Sequence, residues 1–328
     1  MQAIVLVGGF GTRLRPLTLS VPKPLLPIVH VSILERIMAS LALGGITDAV
    51  LSLGFKPEPF RAAFPNNICS GVRLSYAVED SPLDTAGAIG FAARSAGIND
   101  TFVVANGDVI CDLDVAALIS FHRARRAEGT LHLTPVEDPS QYGVVEIDDF
   151  GRVLRFVEKP QPGETTSQVV SGGTYVLEPA ALERMPGTAP LSIERVTFPK
   201  MAQDGVLYAL ATDDYWIDAG QPDTYIRSNL EWVSRGKVAD SEAIHETAHV
   251  STTARISHSI IGAGVHVGDD AVVESSVLLP GAVVEDRARV ANSAVMGTVR
   301  HDAVITQCII GANSVVEVGV KLNGARLP

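Results

Sequence analysis

From about residue 250 the chain repeats itself every six residues. Apolar residues recur at Val250 and Ile256; at Ile261, Val267, Val273 and Leu279; at Val284, Val290 and Met296; and at Val304, Ile310, Val316 and Leu322. Small residues and Gly fill the gaps, as in Ile261-Gly262-Ala263-Gly264-Val265. A period of six fits neither an amphipathic helix nor an alternating strand. It predicts a parallel β-helix with one short strand per hexapeptide. Two register slips and one longer gap predict irregular corners. Residues 236–249 are polar, without an apolar period, and read as a linker.

Residues 1–235 follow a different grammar. Ala3–Val7, Ala49–Leu53, Leu74–Ala77 and Thr101–Ala105 read as strands. Ser32–Leu43, Thr85–Ser95 and Val115–Arg125 have helical spacing. This alternation predicts an α/β domain on a mixed, mostly parallel sheet. Ligands of such sheets bind outside the carboxyl ends of the strands.

Two stretches sit at such ends. Ala3–Val7 runs into Gly8-Gly9-Phe10-Gly11-Thr12-Arg13, and Thr101–Ala105 runs into Asn106-Gly107-Asp108. Glycines let the backbone approach a ligand, and their N–H groups can face phosphate oxygens. Arg13 and Lys23 add positive charge, so the first loop reads as a polyphosphate cradle. Neither the dinucleotide fingerprint nor a P-loop is present, because the spacings of both are missing. A net charge of −11 argues against a nucleic-acid partner. No apolar run is long enough for a membrane span. Three separated cysteines (Cys69, Cys111, Cys308) and the lack of a signal-peptide pattern predict a cytoplasmic protein with reduced thiols.

The whole string GGFGTRLRPLT…PKPLLP resembles the signature of the sugar-1-phosphate nucleotidyltransferases, the NDP-sugar pyrophosphorylases. The resemblance continues through Gly107-Asp108-Val109-Ile110-Cys111-Asp112, Arg155-Phe156-Val157-Glu158-Lys159-Pro160, Ser192-Ile193-Glu194 and Trp216…Asp218…Gly220-Gln221-Pro222. The hexapeptides agree too, and the fit is best with members that guanylylate mannose 1-phosphate. It implies a Rossmann-like (GT-A-like) catalytic domain over 1–235, a linker over 236–249 and a left-handed β-helix over 250–328. The implied reaction joins GTP to a hexose 1-phosphate, mannose first, and releases pyrophosphate.

The resemblance also implies roles. Asp108 and Asp218 hold Mg²⁺; on their own, either aspartate reads as a helix cap or a turn residue. Leu6, Gly8, Gly9, Gly11, Thr12, Arg13, Lys23, Glu79, Asp84, Asn106, Gly107 and Asp108 meet the nucleotide. Gly143, Glu158, Lys159, Ser171, Gly173 and Asp218 meet the sugar phosphate. Arg13, Lys23, Asp108, Lys159 and Asp218 form the catalytic set. If the strand stays extended through it, alternation puts Glu158 and Lys159 on opposite sides, and Pro160 then ends the strand. An ionised carboxylate only accepts hydrogen bonds, which suits the N1–H and N2–H₂ pair of guanine. Glu79, in the base-reading segment, therefore leans towards GTP.

Three departures stand out. The family usually has Gly where this chain has Asp84, Asn-Ala-Gly-x-Tyr where it has Ser171-Gly172-Gly173-Thr174-Tyr175, and Pro at Ser32. The first two leave the nucleotide and the sugar or cyclitol open. The rivals are a nucleotidyltransferase using dTTP, UTP or ATP with glucose 1-phosphate, a silent regulatory subunit, and an acyltransferase with His258, His266 or His301 as base. Stacked coils leave edges to cover, which predicts a homo-oligomer.

Overall fold

The computed structural model describes residues 1–54 and 57–328. By internal contacts the chain divides into two units, residues 1–9 with 34–216 and residues 10–33 with 217–328.

The first unit is built on a mixed sheet. Its main strands are β1 (Gln2–Leu6), β2 (Asp48–Leu53), β3 (Val72–Val78), β4 (Phe102–Asn106), β5 (Gly129–Pro135), β6 (Gly143–Ile147), β7 (Val153–Glu158), β8 (Val169–Leu177) and β9 (Leu207–Ala211). They run in the order β7-β6-β8-β4-β1-β2-β3, and β5 pairs with β8 and β9. β1 lies between β2 and β4, parallel to both. Ala3, Ile4 and Val5 are fully buried, as an apolar run covered on both faces should be. Helices α1 (Ile33–Leu43), α2 (Asp84–Ser95) and α3 (Val115–Arg125) follow the sequence reading to within a residue. α3 begins where Asp114 Oδ1 accepts the Ala117 N–H at 2.9 Å.

The small face of α2 (Ala86, Ile89, Ala92, Ala93) packs into one core with Ile4, Val50, Ala77 and Phe102. Fully burying a side chain such as Phe102 stabilises by about 1.5–3 kcal/mol. The register then sets the rim. Leu6 is level with Ser52 on one side and Asn106 on the other. The two predicted loops therefore leave the sheet side by side, tied by the Gly107 N–H to the Leu6 carbonyl at 2.9 Å.

In the second unit, α4 (Pro222–Ser234) begins with a capping box between Gln221 and Thr224. The Tyr225 hydroxyl donates to the Pro27 carbonyl at 2.7 Å, and Asn229 Oδ1 accepts the Val29 N–H at 2.6 Å. These two bonds hang the signature segment on α4. The left-handed parallel β-helix follows, with strands stacked in three five-stranded parallel sheets.

The coils stack Val250, Val267, Val284, Val299 and Val316 in one sheet, seventeen residues apart except for fifteen between Val284 and Val299. The strict six-residue reading therefore slips. The inward residues are Leu278, Val295 and Ile305, where the period had placed Leu279, Met296 and Val304. One side of a seventeen-residue coil is a residue shorter than the other two, and the coil from Val284 to Val299 is shorter still, which a fixed period cannot follow. The corners are closed by polar chemistry. His258, Ser275, Asn292 and Gln307 take positive φ at one corner. The next residues form a ladder: Ser276 N donates to Ser259 Oγ, Ser293 N to Ser276 Oγ, and Cys308 N to Ser293 Oγ. Buried backbone donors at the corners are thereby satisfied.

Candidate active site

In the first unit, Gly8 and Gly54 meet back to back. A Cβ on Gly8 would lie 2.8 Å from the Gly54 nitrogen, so only glycine fits beside this rim. Asp108 follows at the end of β4, one residue beyond the Gly107 tie.

Glu79 sits at the end of β3, only 8% exposed. Its Oε2 accepts the Leu83 N–H at 2.9 Å and its Oε1 the Ser52 hydroxyl at 3.4 Å. Burial raises its pKa, against the lowering by these two bonds. Glu79 thus orders the 79–83 loop, a role the sequence reading did not assign.

Asp84 starts α2 with φ +55°, the left-handed region that favours glycine. Its Oδ1 accepts the Thr85 N–H at 2.8 Å. Short polar side chains tolerate this region through such local bonds. Asp84 thus holds a backbone conformation that would suit the family's Gly, and adds a carboxylate.

Gly143 and Glu158 are paired directly across β6 and β7. A Cβ on Gly143 would come within 2.4 Å of the Phe156 ring and 3.0 Å of Glu158 Oε2. β7 ends at Glu158. Lys159 turns off it with φ +51°, and its Nζ lies 4.0 Å from Glu158 Oε1. The expected opposite-sided arrangement therefore does not form; the strand ends before Pro160 acts, and both side chains serve the same side. Desolvation raises the Glu158 pKa, with the negative charge of Glu194 adding to it and Lys159 opposing. Glu194 accepts from the Thr85 hydroxyl at 2.7 Å and the Ser192 hydroxyl at 2.9 Å.

Ser171 to Gly173 lie on β8. A Cβ on Gly172 would fall 2.3 Å from His132 Nδ1, so the buried imidazole fills the space where the family's Ala side chain would stand. His132 Nε2 pairs with the Thr212 hydroxyl at 2.9 Å. Burial lowers the His132 pKa to about 4. The Trp216 indole donates to the Gly172 carbonyl at 2.9 Å and stands edge-on to Tyr142. Gly173 has φ +78° and packs on Asn106.

In the second unit three of the predicted catalytic residues converge. Lys23 Nζ lies 3.4 Å from Asp218 Oδ1, and Arg13 Nη2 lies 3.8 Å from Oδ2. The Gly220 N–H donates to Asp218 Oδ1 at 2.8 Å. Lys23 is 7% exposed and Arg13 58%, so one cation is fixed and the other faces solvent. Gly11 holds φ +58°, and its carbonyl accepts the Leu14 N–H at 3.0 Å and the Thr18 hydroxyl at 2.7 Å.

Among the described residues, no group of three or more His, Cys, Asp or Glu could hold a metal alone. A Mg²⁺ site needs fewer protein ligands than that. That ion takes one or two carboxylates and completes its shell with substrate phosphates and water. The three histidines of the acyltransferase alternative do not assemble. His258 lines a groove of about 650 Å³ against α4, whereas His266 and His301 line another of about 380 Å³. Among the described residues, no helix is long and apolar enough to cross a membrane.

A family model described as nucleotidyl transferase matches residues 2–234. A mannose-1-phosphate guanylyltransferase of Mycobacterium tuberculosis is 37% identical over 87% of this chain and 81% of its own. A probable mannose-1-phosphate guanylyltransferase 2 of Oryza sativa is 36% identical over 96% of this chain and 87% of its own. Among solved structures, HddC from Yersinia pseudotuberculosis superposes with a TM-score of 0.61 at 29% identity, covering 71% of this chain and 99% of that one. The same protein has been solved in complex with GMP-PN. The chain belongs to the nucleotidyl transferase family. Its architecture, a nucleotidyltransferase sheet followed by a left-handed β-helix, is the one its motifs announce.

Proposed function

We propose that this protein transfers a guanylyl group from GTP to mannose 1-phosphate, giving GDP-mannose and pyrophosphate. The observation that carries the reading is the shared name of relatives aligned over 87% and 96% of this chain. The meeting of Arg13, Lys23 and Asp218 supports it at the level of chemistry.

A phosphate oxygen of the sugar attacks the α-phosphorus of GTP. The bond from that phosphorus to the bridging oxygen breaks, and pyrophosphate leaves with the electron pair. The attacking phosphate is already ionised, so no general base is required. Catalysis then rests on placement and charge neutralisation. Arg13 and Lys23 take the triphosphate with the N–H groups of the glycine loop. Lys159 takes the sugar phosphate, while Glu158 and Gly143 meet the sugar. Asp108 and Asp218 would hold Mg²⁺, which neutralises charge on the phosphates when bound.

Asp84 and Ser171 favour one second reading: the same nucleotide with another hexose or cyclitol 1-phosphate. Incubation with GTP, mannose 1-phosphate and MgCl₂, followed by mass spectrometry, tests the main reading. It expects GDP-mannose and its loss with EDTA; product formation unaffected by EDTA would remove the metal from the account.

Cytoplasmic placement is supported by the three unpaired cysteines. We also propose a homo-oligomer formed through the β-helix, where Val315, Val318 and Val320 are exposed on the fifth coil. A monomeric mass by light scattering at micromolar concentration would contradict it.

A further inference from the structure

We propose that Arg326, on the fifth coil of the β-helix, is a positioning residue for Arg13. The inference rests on the reading of Arg13 as a triphosphate ligand. It begins with a missing donor. Residues 12–14 form a tight helical turn in which the Leu14 N–H bonds to the Gly11 carbonyl and the Arg15 N–H to the Thr12 carbonyl. The next bond of that series would run from residue 16 to the Arg13 carbonyl. Residue 16 is proline and has no N–H. Arg326 Nη1 supplies the donor instead, 3.0 Å from the Arg13 carbonyl oxygen.

The contact belongs to a longer seam. A Cβ on Gly311 would lie 3.0 Å from Pro16 Cβ, tighter than ordinary contact, so the coil leaves no room for a side chain between itself and the signature segment. The Ser20 hydroxyl lies 3.9 Å from Met296 Sδ. Met296 and Gly311 occupy the same corner of successive coils, because Met296 N donates to Ile310 O and Gly311 N to Leu327 O. Met296 therefore interrupts the inward period for a reason: it turns out towards the segment. Three successive coils brace residues 13–20.

The consequence is directional. The Arg13 side chain is mostly exposed and its approach to Asp218 is long, 3.8 Å, so its direction is set chiefly by its backbone. Closing the turn at the Arg13 carbonyl fixes that backbone and the neighbouring loop amides. The β-helix thus acts on the nucleotide side of the reaction, and the sugar side is untouched.

The test measures both Michaelis constants, kcat and Tm for Arg326→Ala, Arg326→Lys, Arg13→Ala and the control Arg289→Ala, on a different face of the β-helix. Arg326→Ala is expected to raise the KM for the nucleotide about fivefold, the loss of roughly one hydrogen bond. The KM for the sugar phosphate and Tm stay near wild type, Arg326→Lys recovers part of the loss, and Arg289→Ala changes nothing. Wild-type constants in Arg326→Ala, with a strong nucleotide defect in Arg13→Ala, overturn the proposal alone. An Arg326→Ala defect shared equally by both substrates and Tm also overturns it, by marking a merely structural residue. No nucleotide defect in Arg13→Ala overturns the underlying reading and the proposal with it.

Discussion

The α/β unit and the β-helix bury apolar side chains in opposite ways. The first packs unlike pieces, with Phe102, Phe198 and Tyr175 each in a place of its own. The second packs the same piece five times, with Val, Ile and Ala in register. Unlike pieces leave unlike loops, and the rim of β1, β3 and β4 therefore carries a different chemical group at each strand end. Repeated pieces leave repeated corners, and a coil contacts chiefly its neighbours. The signature segment lies against three of those coils, and Arg326 meets the Arg13 carbonyl there.

The sharpest break of this contrast is Asp108→Asn. It changes one rim group and no packing, and turnover should fall by about three orders of magnitude with Tm unchanged. A steady-state assay with a thermal melt checks both, and near-wild-type turnover would remove Asp108 from the chemistry. Core truncation comes next. Phe102→Ala should cost about 3–5 kcal/mol in urea unfolding, because no neighbour repeats its shape. Val290→Ala in a middle coil should cost about 2 kcal/mol, since fewer atoms are lost. Equal costs would erase the difference between the two cores.

Acid should separate the units as well. The His132 pKa falls from 6.5 to about 4 on folding, because burial disfavours the charged ring. A depressed pKa means that the unfolded chain binds the proton first. The stability is therefore present above pH 6.5 and is lost as pH falls towards 4, by ~3 kcal/mol. His132→Asn should flatten the loss between those pH values in chemical denaturation monitored by tryptophan fluorescence. An unchanged pH slope would deny that the imidazole is neutral in the fold. The smallest effect is expected of Asp84→Gly. The backbone already has a glycine conformation, so unfolding free energy should shift by less than about 1 kcal/mol. Substrate preference is the readout that would move.

Much of this was legible in the sequence, for physical reasons. The period of six encoded a β-helix because every coil must point an apolar residue inwards. The α/β strands were legible because β1, β2 and β4 are buried on both faces. The places of the glycine loop and Asp108 were legible because each directly follows a buried apolar strand that ends at the sheet rim. The misses depend on contacts distant in sequence or on a turn at one residue. Glu158 and Lys159 share a side because Lys159 adopts a positive φ. Gly172 makes sense only with His132, forty residues earlier on β5. Glu79 also braces a loop through Ser52 and the Leu83 amide, contacts that the sequence does not display. Met296 kept the period in the sequence and broke it in space. The missing N–H of Pro16 was visible from the start, but its replacement by Arg326 was not.

The most direct test of the central claim is the ratio of kcat/KM values in a pyrophosphate-release assay. It crosses GTP, dTTP, UTP, ATP and CTP with mannose 1-phosphate and glucose 1-phosphate in the presence of Mg²⁺. The account predicts that GTP with mannose 1-phosphate exceeds every other pair by at least about tenfold. A preference for another nucleotide, or no release with any pair from the folded protein, would contradict it.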